Sequence, residues 1–165
     1  MQLNFKFSPE IDFQRIQSTL KKLDWYTANG YKPRLPRKNS EPILDEVQLL
    51  KIVKNEYNPK EYEEIQKKLK SEFVKIESDL LNLFKEISKK IPFEFDISLT
   101  KYGTGGSYNL SNQIILNIKG KNPLRTLVHE MIHLLLEEKV QKEKLSHLEK
   151  EALVESHMEK LSIIF

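Results

Sequence analysis

The chain has 165 residues, 39% of them hydrophobic, and no cysteine. That suffices for one domain with a real core, or one domain carrying a helical appendage, and it excludes disulfides and thiolate metal sites. A net charge of +3, from 27 basic and 24 acidic residues largely interspersed, gives no argument for a nucleic-acid partner. With no apolar run suited to a membrane span or signal peptide, the expected setting is cytoplasmic and away from membranes.

Residues 3–7 predict a short strand and residues 9–23 a short amphipathic helix. Residues 32–42 hold three prolines among Lys32, Arg34, Arg37 and Lys38, which predicts an irregular, solvated connection. A helix over residues 43–55 follows. Asn58, Pro59 and Glu61 then read as an N-cap, a first-turn proline and an N3 acid. From there Tyr62, Ile65, Leu69, Phe73, Ile76, Leu80, Phe84, Ile87 and Ile91 trace one stripe that stops at Pro92. At ~1.5 Å per residue this helix would be ~45–50 Å long. The chain divides, on this reading, into an N-terminal accessory part, residues 1–57, and a main domain, residues 58–165, backed by the long helix.

Residues 92–100 alternate Phe93, Phe95, Ile97 and Leu99 with polar residues, the pattern of a half-buried strand. Residues 112–118 read as a second strand. Between them, Gly103 to Ser107 is a flexible turn region. It does not suit a phosphate loop, because no Lys-Ser/Thr follows and the segment leads into a strand.

Asn122 and Pro123 start the next helix, which is apolar almost all round and therefore buried. Inside it lies His129-Glu130-Met131-Ile132-His133, an HExxH. Two histidines four apart project from one helix face, so their imidazoles can bind one Zn²⁺ together. Glu130 then stands beside the metal as general base. The bland alternative is a buried helix with two hydrogen-bonded histidines; on so apolar a helix that leaves costly polar groups to satisfy.

In the last segment His147, Glu151, Val154, Met158, Leu161 and Phe165 recur at helical spacing on one apolar face. A carboxylate on that face calls for a cation, which makes Glu151 the candidate third ligand. Glu155, one turn later on the border of the face, would orient a histidine ring from behind; the exchange of these two roles stays open. Glu149 and His157 point elsewhere. An oxyanion stabiliser is needed, for which Tyr102, Tyr108 and His147 are candidates.

Thr126, Leu127, Met131, Ile132, Leu134 and Leu135 around the motif resemble the longer zinc-peptidase signature. Over residues 93–161 the chain resembles the zincin metallopeptidases. Leu136 and Lys139 stand where the metzincin branch has glycine and a third histidine, and peptide deformylases use a cysteine ligand. Glu151 to Glu155 is similar to the ExxxD of the gluzincin branch, with Glu for Asp. The resemblance implies an α+β zincin-like fold, a small mixed sheet packed on the HExxH helix and a following glutamate helix. It implies one Zn²⁺ per chain, a peptide or protein substrate, and hydrolysis by zinc-activated water. It also implies a substrate-binding edge strand formed by Gln113, Ile114, Ile115, Leu116 and Asn117.

Residues 60–161 are similar in plan to minigluzincins, some of which carry a terminal segment that blocks the cleft; residues 1–40 would take that place here. Glu149-Lys150-Glu151-Ala152 resembles an element of the ImmA/IrrE-like regulatory peptidases, except that Leu153 stands where Asn is expected. The alternative function is therefore a non-cleaving or latent zinc-binding regulator acting on a repressor partner.

Overall fold

Four strands make the sheet that carries the site, in the order β1 (Gln2–Lys6), β4 (Glu94–Thr100), β6 (Gln113–Asn117), β5 (Gly106–Asn109). This computed structural model describes residues 1–92 and 94–161 of the protein. Phe93 and Phe165, each expected on an apolar face, lie outside the described residues. The fold is α+β with six helices among those residues, none long and apolar enough to cross a membrane.

The alternation expected of β4 is present: Phe95, Ile97 and Leu99 are wholly buried. They pack with Ile114 and Leu116 of β6 into a core shared with helices α4 (Pro59–Ile87) and α5 (Pro123–Glu143). Tyr62, Leu69, Phe73, Ile76, Leu80 and Phe84 supply the stripe of α4. The helix ends at Ile87 rather than at Pro92, with Ser88 turning extended, φ −143°. Beyond it the Ser88 hydroxyl accepts from the Lys90 amide at 3.1 Å in place of the next helical turn.

The N-terminal residues are built into this body. β1 runs parallel to β4 in register from Gln2↔Glu94 to Lys6↔Ser98, so a strand from before residue 57 joins the same sheet as those after it. Helices α1 (Pro9–Leu20), α2 (Leu23–Ala28) and α3 (Glu46–Glu56) follow. The proline-rich connection is more ordered than its composition suggests. It holds a small hairpin, β2 (Arg37–Lys38) and β3 (Glu41–Pro42), turned by Asn39 and Ser40 in left-handed conformations. Leu35 and Ile43 beside it join Ile16, Leu49, Val53 and Tyr102 in a second, smaller core.

Asp12 of α1 joins the two cores. Only 1% exposed, it accepts hydrogen bonds from the Tyr62 hydroxyl, from Thr100 Oγ1 at 2.7 Å and from the Lys101 amide at 3.1 Å. Burial holds its carboxyl above the ordinary range, and the three donors offset this only in part. Asp12→Ala leaves three buried donors without an acceptor, at about 1–3 kcal/mol each. Chemical denaturation should show a loss of about 3–5 kcal/mol; a loss below about 1 kcal/mol would show that the donors find other partners.

The strand order corrects one expectation. β6 is internal, with β4 parallel on one side and β5 antiparallel on the other. Gln113, Ile114, Ile115, Leu116 and Asn117 therefore have no free edge to offer. The free edge beyond β6 belongs to β5, which grows out of the glycine-rich turn. Ser111 and Asn112, both at positive φ, fold it back as a hairpin onto β6. Just before β5, Gly103 forms a two-bond bridge with Arg34.

Candidate metal centre

α5 starts as its sequence suggests: Asn122 caps the Arg125 amide at 3.0 Å and Pro123 opens the first turn. The helix lies under the sheet, with Leu127, Val128, Met131, Ile132, Leu135 and Leu136 buried round it. It ends at Lys144, which is left-handed with φ 53°. α6 (His147–Glu159) then begins at Ser146, whose hydroxyl and the Glu149 carboxylate form a reciprocal capping box. Glu149 is thus a helix cap, legible in the Ser-x-x-Glu spacing. This helix pair lays α6 against α5 and brings Glu151 up to the two histidines.

The three expected donors converge. His129 Nε2 and His133 Nε2 face each other at 3.0 Å, and the Glu151 oxygens lie 3.4 Å from each. One donor atom from each residue falls within 4.8 Å of the others. Two imidazole lone pairs aimed at each other repel unless a proton or a cation stands between them. Donors about 2.0–2.2 Å from a tetrahedral zinc would be about 3.3–3.5 Å apart, close to the separations here. A set of two nitrogens and one carboxylate suits Zn²⁺ better than Mg²⁺ or Ca²⁺, which prefer oxygen ligands. The cradle fits a divalent cation, and three protein ligands leave one position for a non-protein ligand.

Glu155 sits behind His129, its Oε1 3.3 Å from Nδ1, and its other oxygen pairs with Arg125 Nη2 at 2.7 Å. The 3.3 Å approach is not aligned as a hydrogen bond, and the buried Nδ1 atoms of His129 and His133 have no hydrogen-bond partner.

Glu130 is 7% exposed and lines the cleft. Burial pushes its carboxyl up to about 7, against the pull of His129. Gly106 of β5 lies directly over it: a Cβ there would stand 2.6 Å from Glu130 Oε1 and 2.8 Å from Thr126 Cγ2. Burial would lower both histidines; for His129 the hydrogen bond to Glu151 and the surrounding carboxylates outweigh this and raise it, whereas His133 stays lowered. Burial alone would raise Glu151, and the two histidines hold it well below the carboxylate range.

The three candidate oxyanion stabilisers separate. Tyr102 is 2% exposed in the second core, donates to Glu56 Oε2 at 2.7 Å and does not line the cleft, so that expectation fails. Tyr108 does line it, with its ring stacked on His133 at 5.1 Å, but its hydroxyl donates to Glu137 at 2.7 Å. His147 faces the cleft with Nδ1 3.6 Å from Glu151 Oε1, while its Nε2 is 3.0 Å from the Tyr31 hydroxyl. His157 is not at the centre.

The cleft has a volume of about 1030 Å³. Its glycine-rich wall is Thr104 to Tyr108. Another is formed by Lys21, Lys22, Asp24, Trp25, Tyr26 and Tyr31, from α2 and its flanks. Residues of the N-terminal forty therefore shape the cleft. Sequence reasoning missed this wall and α2 itself; the available signal was an aromatic cluster, Trp25, Tyr26 and Tyr31, in an otherwise polar stretch. It also missed Arg15, 6% exposed on α1, which donates to Ser107 Oγ at 3.1 Å and Thr104 Oγ1 at 3.2 Å and so fixes the glycine turn. No known family model matches the chain, and neither a curated protein nor a solved structure matches it.

Proposed function

We propose that the protein is a zinc-dependent endopeptidase. The observation that carries this reading is the convergence of His129, His133 and Glu151 on one point, with an unbonded carboxylate, Glu130, beside it in an open cleft. His129, His133 and Glu151 would hold the cation. When bound, it supplies Lewis-acid chemistry, lowering the pKa of a water and polarising a carbonyl.

The chain's own residues do the rest. Glu130 takes the proton of the attacking water and returns it to the leaving amine nitrogen. No described residue donates a hydrogen bond to that carboxylate, so its oxygens are free to accept the proton. Glu155, braced by Arg125, keeps the His129 ring turned to the cradle. The free edge of β5, rather than β6, would pair with an extended substrate backbone. His147, held by Tyr31, is placed to donate to the oxygen that gains charge.

Metal analysis combined with casein hydrolysis tests the reading. About one zinc per chain, with turnover abolished by chelation and restored by zinc, supports it. Zinc without turnover supports the zinc-binding regulator instead, and a folded chain that takes up no zinc sinks both.

Gly106 gives a sharper geometric check. In Gly106→Ala the new methyl meets Glu130 and Thr126 inside contact distance, so the carboxylate must move. A displacement near 1 Å costs up to about 100-fold in rate. We expect hydrolysis to fall roughly 10- to 100-fold with zinc content unchanged; unaltered turnover would remove Glu130 from the reaction.

A further inference from the structure

Trp25 is the chain's one tryptophan, and it is 47% exposed. It is nevertheless held in place. Its indole stacks on Tyr31 with centroids 5.8 Å apart and planes 17° from parallel, and it meets Tyr26 and His147 edge-on, each at 5.4 Å. The ring lines the cleft, and the His147 it touches lies 3.6 Å from the candidate ligand Glu151. A fixed aromatic surface left open beside a reacting centre binds apolar groups with little further loss of entropy. The charged residues of the same cleft are of both signs, Lys21, Lys22, Arg125 and Lys150 against Asp24, Glu130, Glu137, Glu151 and Glu155, so the aromatic ledge is what distinguishes this wall.

We propose that Trp25, backed by Tyr31, is the subsite for a large apolar side chain of the substrate, that of Phe, Leu, Tyr or Met, next to the scissile bond. This rests on the peptidase reading. The Tyr31–His147 hydrogen bond ties the ledge to the glutamate helix. A side chain seated there would fix the register of the substrate backbone against the cradle.

Two measurements test it. Zinc-loaded wild type and Trp25→Ala digest casein, and mass spectrometry maps the residues flanking each cut. In the wild type one flank should favour large apolar residues over alanine by roughly tenfold or more, the usual worth of a few methylenes in an apolar pocket. Trp25→Ala should lose most of that preference while keeping one zinc per chain. The variant should fold, since the indole is half exposed. The second measurement needs no turnover. Zinc-loaded Glu130→Gln is titrated with blocked hexapeptides carrying one Phe or one Ala, and the emission of Trp25 is followed. The Phe peptide should shift the emission with roughly tenfold higher affinity.

An unchanged cleavage preference in Trp25→Ala overturns the subsite and leaves the peptidase reading standing. A saturable, Phe-selective emission change in a chain that cleaves nothing supports the subsite and defeats the peptidase reading. Equal responses to the Phe and Ala peptides overturn the subsite.

Discussion

Glu130→Gln should lower peptide hydrolysis by roughly 100- to 10,000-fold, the usual worth of a positioned general base, while zinc binding persists. Gln has the shape of Glu and none of its basicity, and Glu130 is not one of the three converging donors. A drop in kcat without loss of metal therefore isolates the proton transfer. Stability supplies a second readout in the metal-free protein. Burial pushes Glu130 from its ordinary 4.5 up to about 7. Between those values the folded chain holds a proton that the unfolded chain has released, so stability falls as pH rises through the window and levels off above it. Glu130→Gln removes that slope, and denaturation curves at pH 5 and pH 8 should differ less for the variant than for the wild type. A variant that hydrolyses casein like the wild type would place the base elsewhere.

Glu151→Gln should lower zinc affinity by on the order of 100- to 1000-fold, as measured by competition with a chelator. One ligand's share of the roughly 10–16 kcal/mol of a zinc site amounts to that much. The side chain is 31% exposed, so the substitution should leave the fold intact. Glu155→Gln acts through the ring of His129 and should cost only about 10- to 100-fold. The two variants decide which acid is the ligand: equal losses, or a larger loss at Glu155, would reverse the roles given by the 3.4 Å contacts of Glu151 with both histidines.

What the sequence makes legible is what helical periodicity carries. His129 and His133 share a face because four residues make about one turn. Glu151 reads as inward because Val154 and Met158, three and seven residues on, continue its helix face, and both are indeed buried. Strand order has no such local signature. β5 contains two glycines, a serine and an asparagine in and beside it and shows no alternation, so the chain reads there as a turn. It becomes a strand because its hairpin with β6 places it over α5. The assignment of β6 as an edge fails for the same reason, since a strand's neighbours are settled by pairing across the sheet. Tyr31 and His147 meet across a sequence separation of 116, beyond any spacing rule. Tyr102 looked available as a polar aromatic near the strands, and it is spent on Glu56 in the second core.

The helix pair α5–α6 has an evolutionary consequence. Every donor of the cradle, from His129 to Glu151, lies in one continuous hairpin joined at Lys144, whereas the cleft walls are drawn from residues 21–31 and 104–110. If the peptidase proposal holds, chemistry and selectivity are written in separate stretches of the gene. Mutations in the wall of α2 can retune what enters the cleft without touching a metal donor. On the proposed reading, a lineage carrying this fold would diversify its targets through one short segment while the three metal donors stay unchanged.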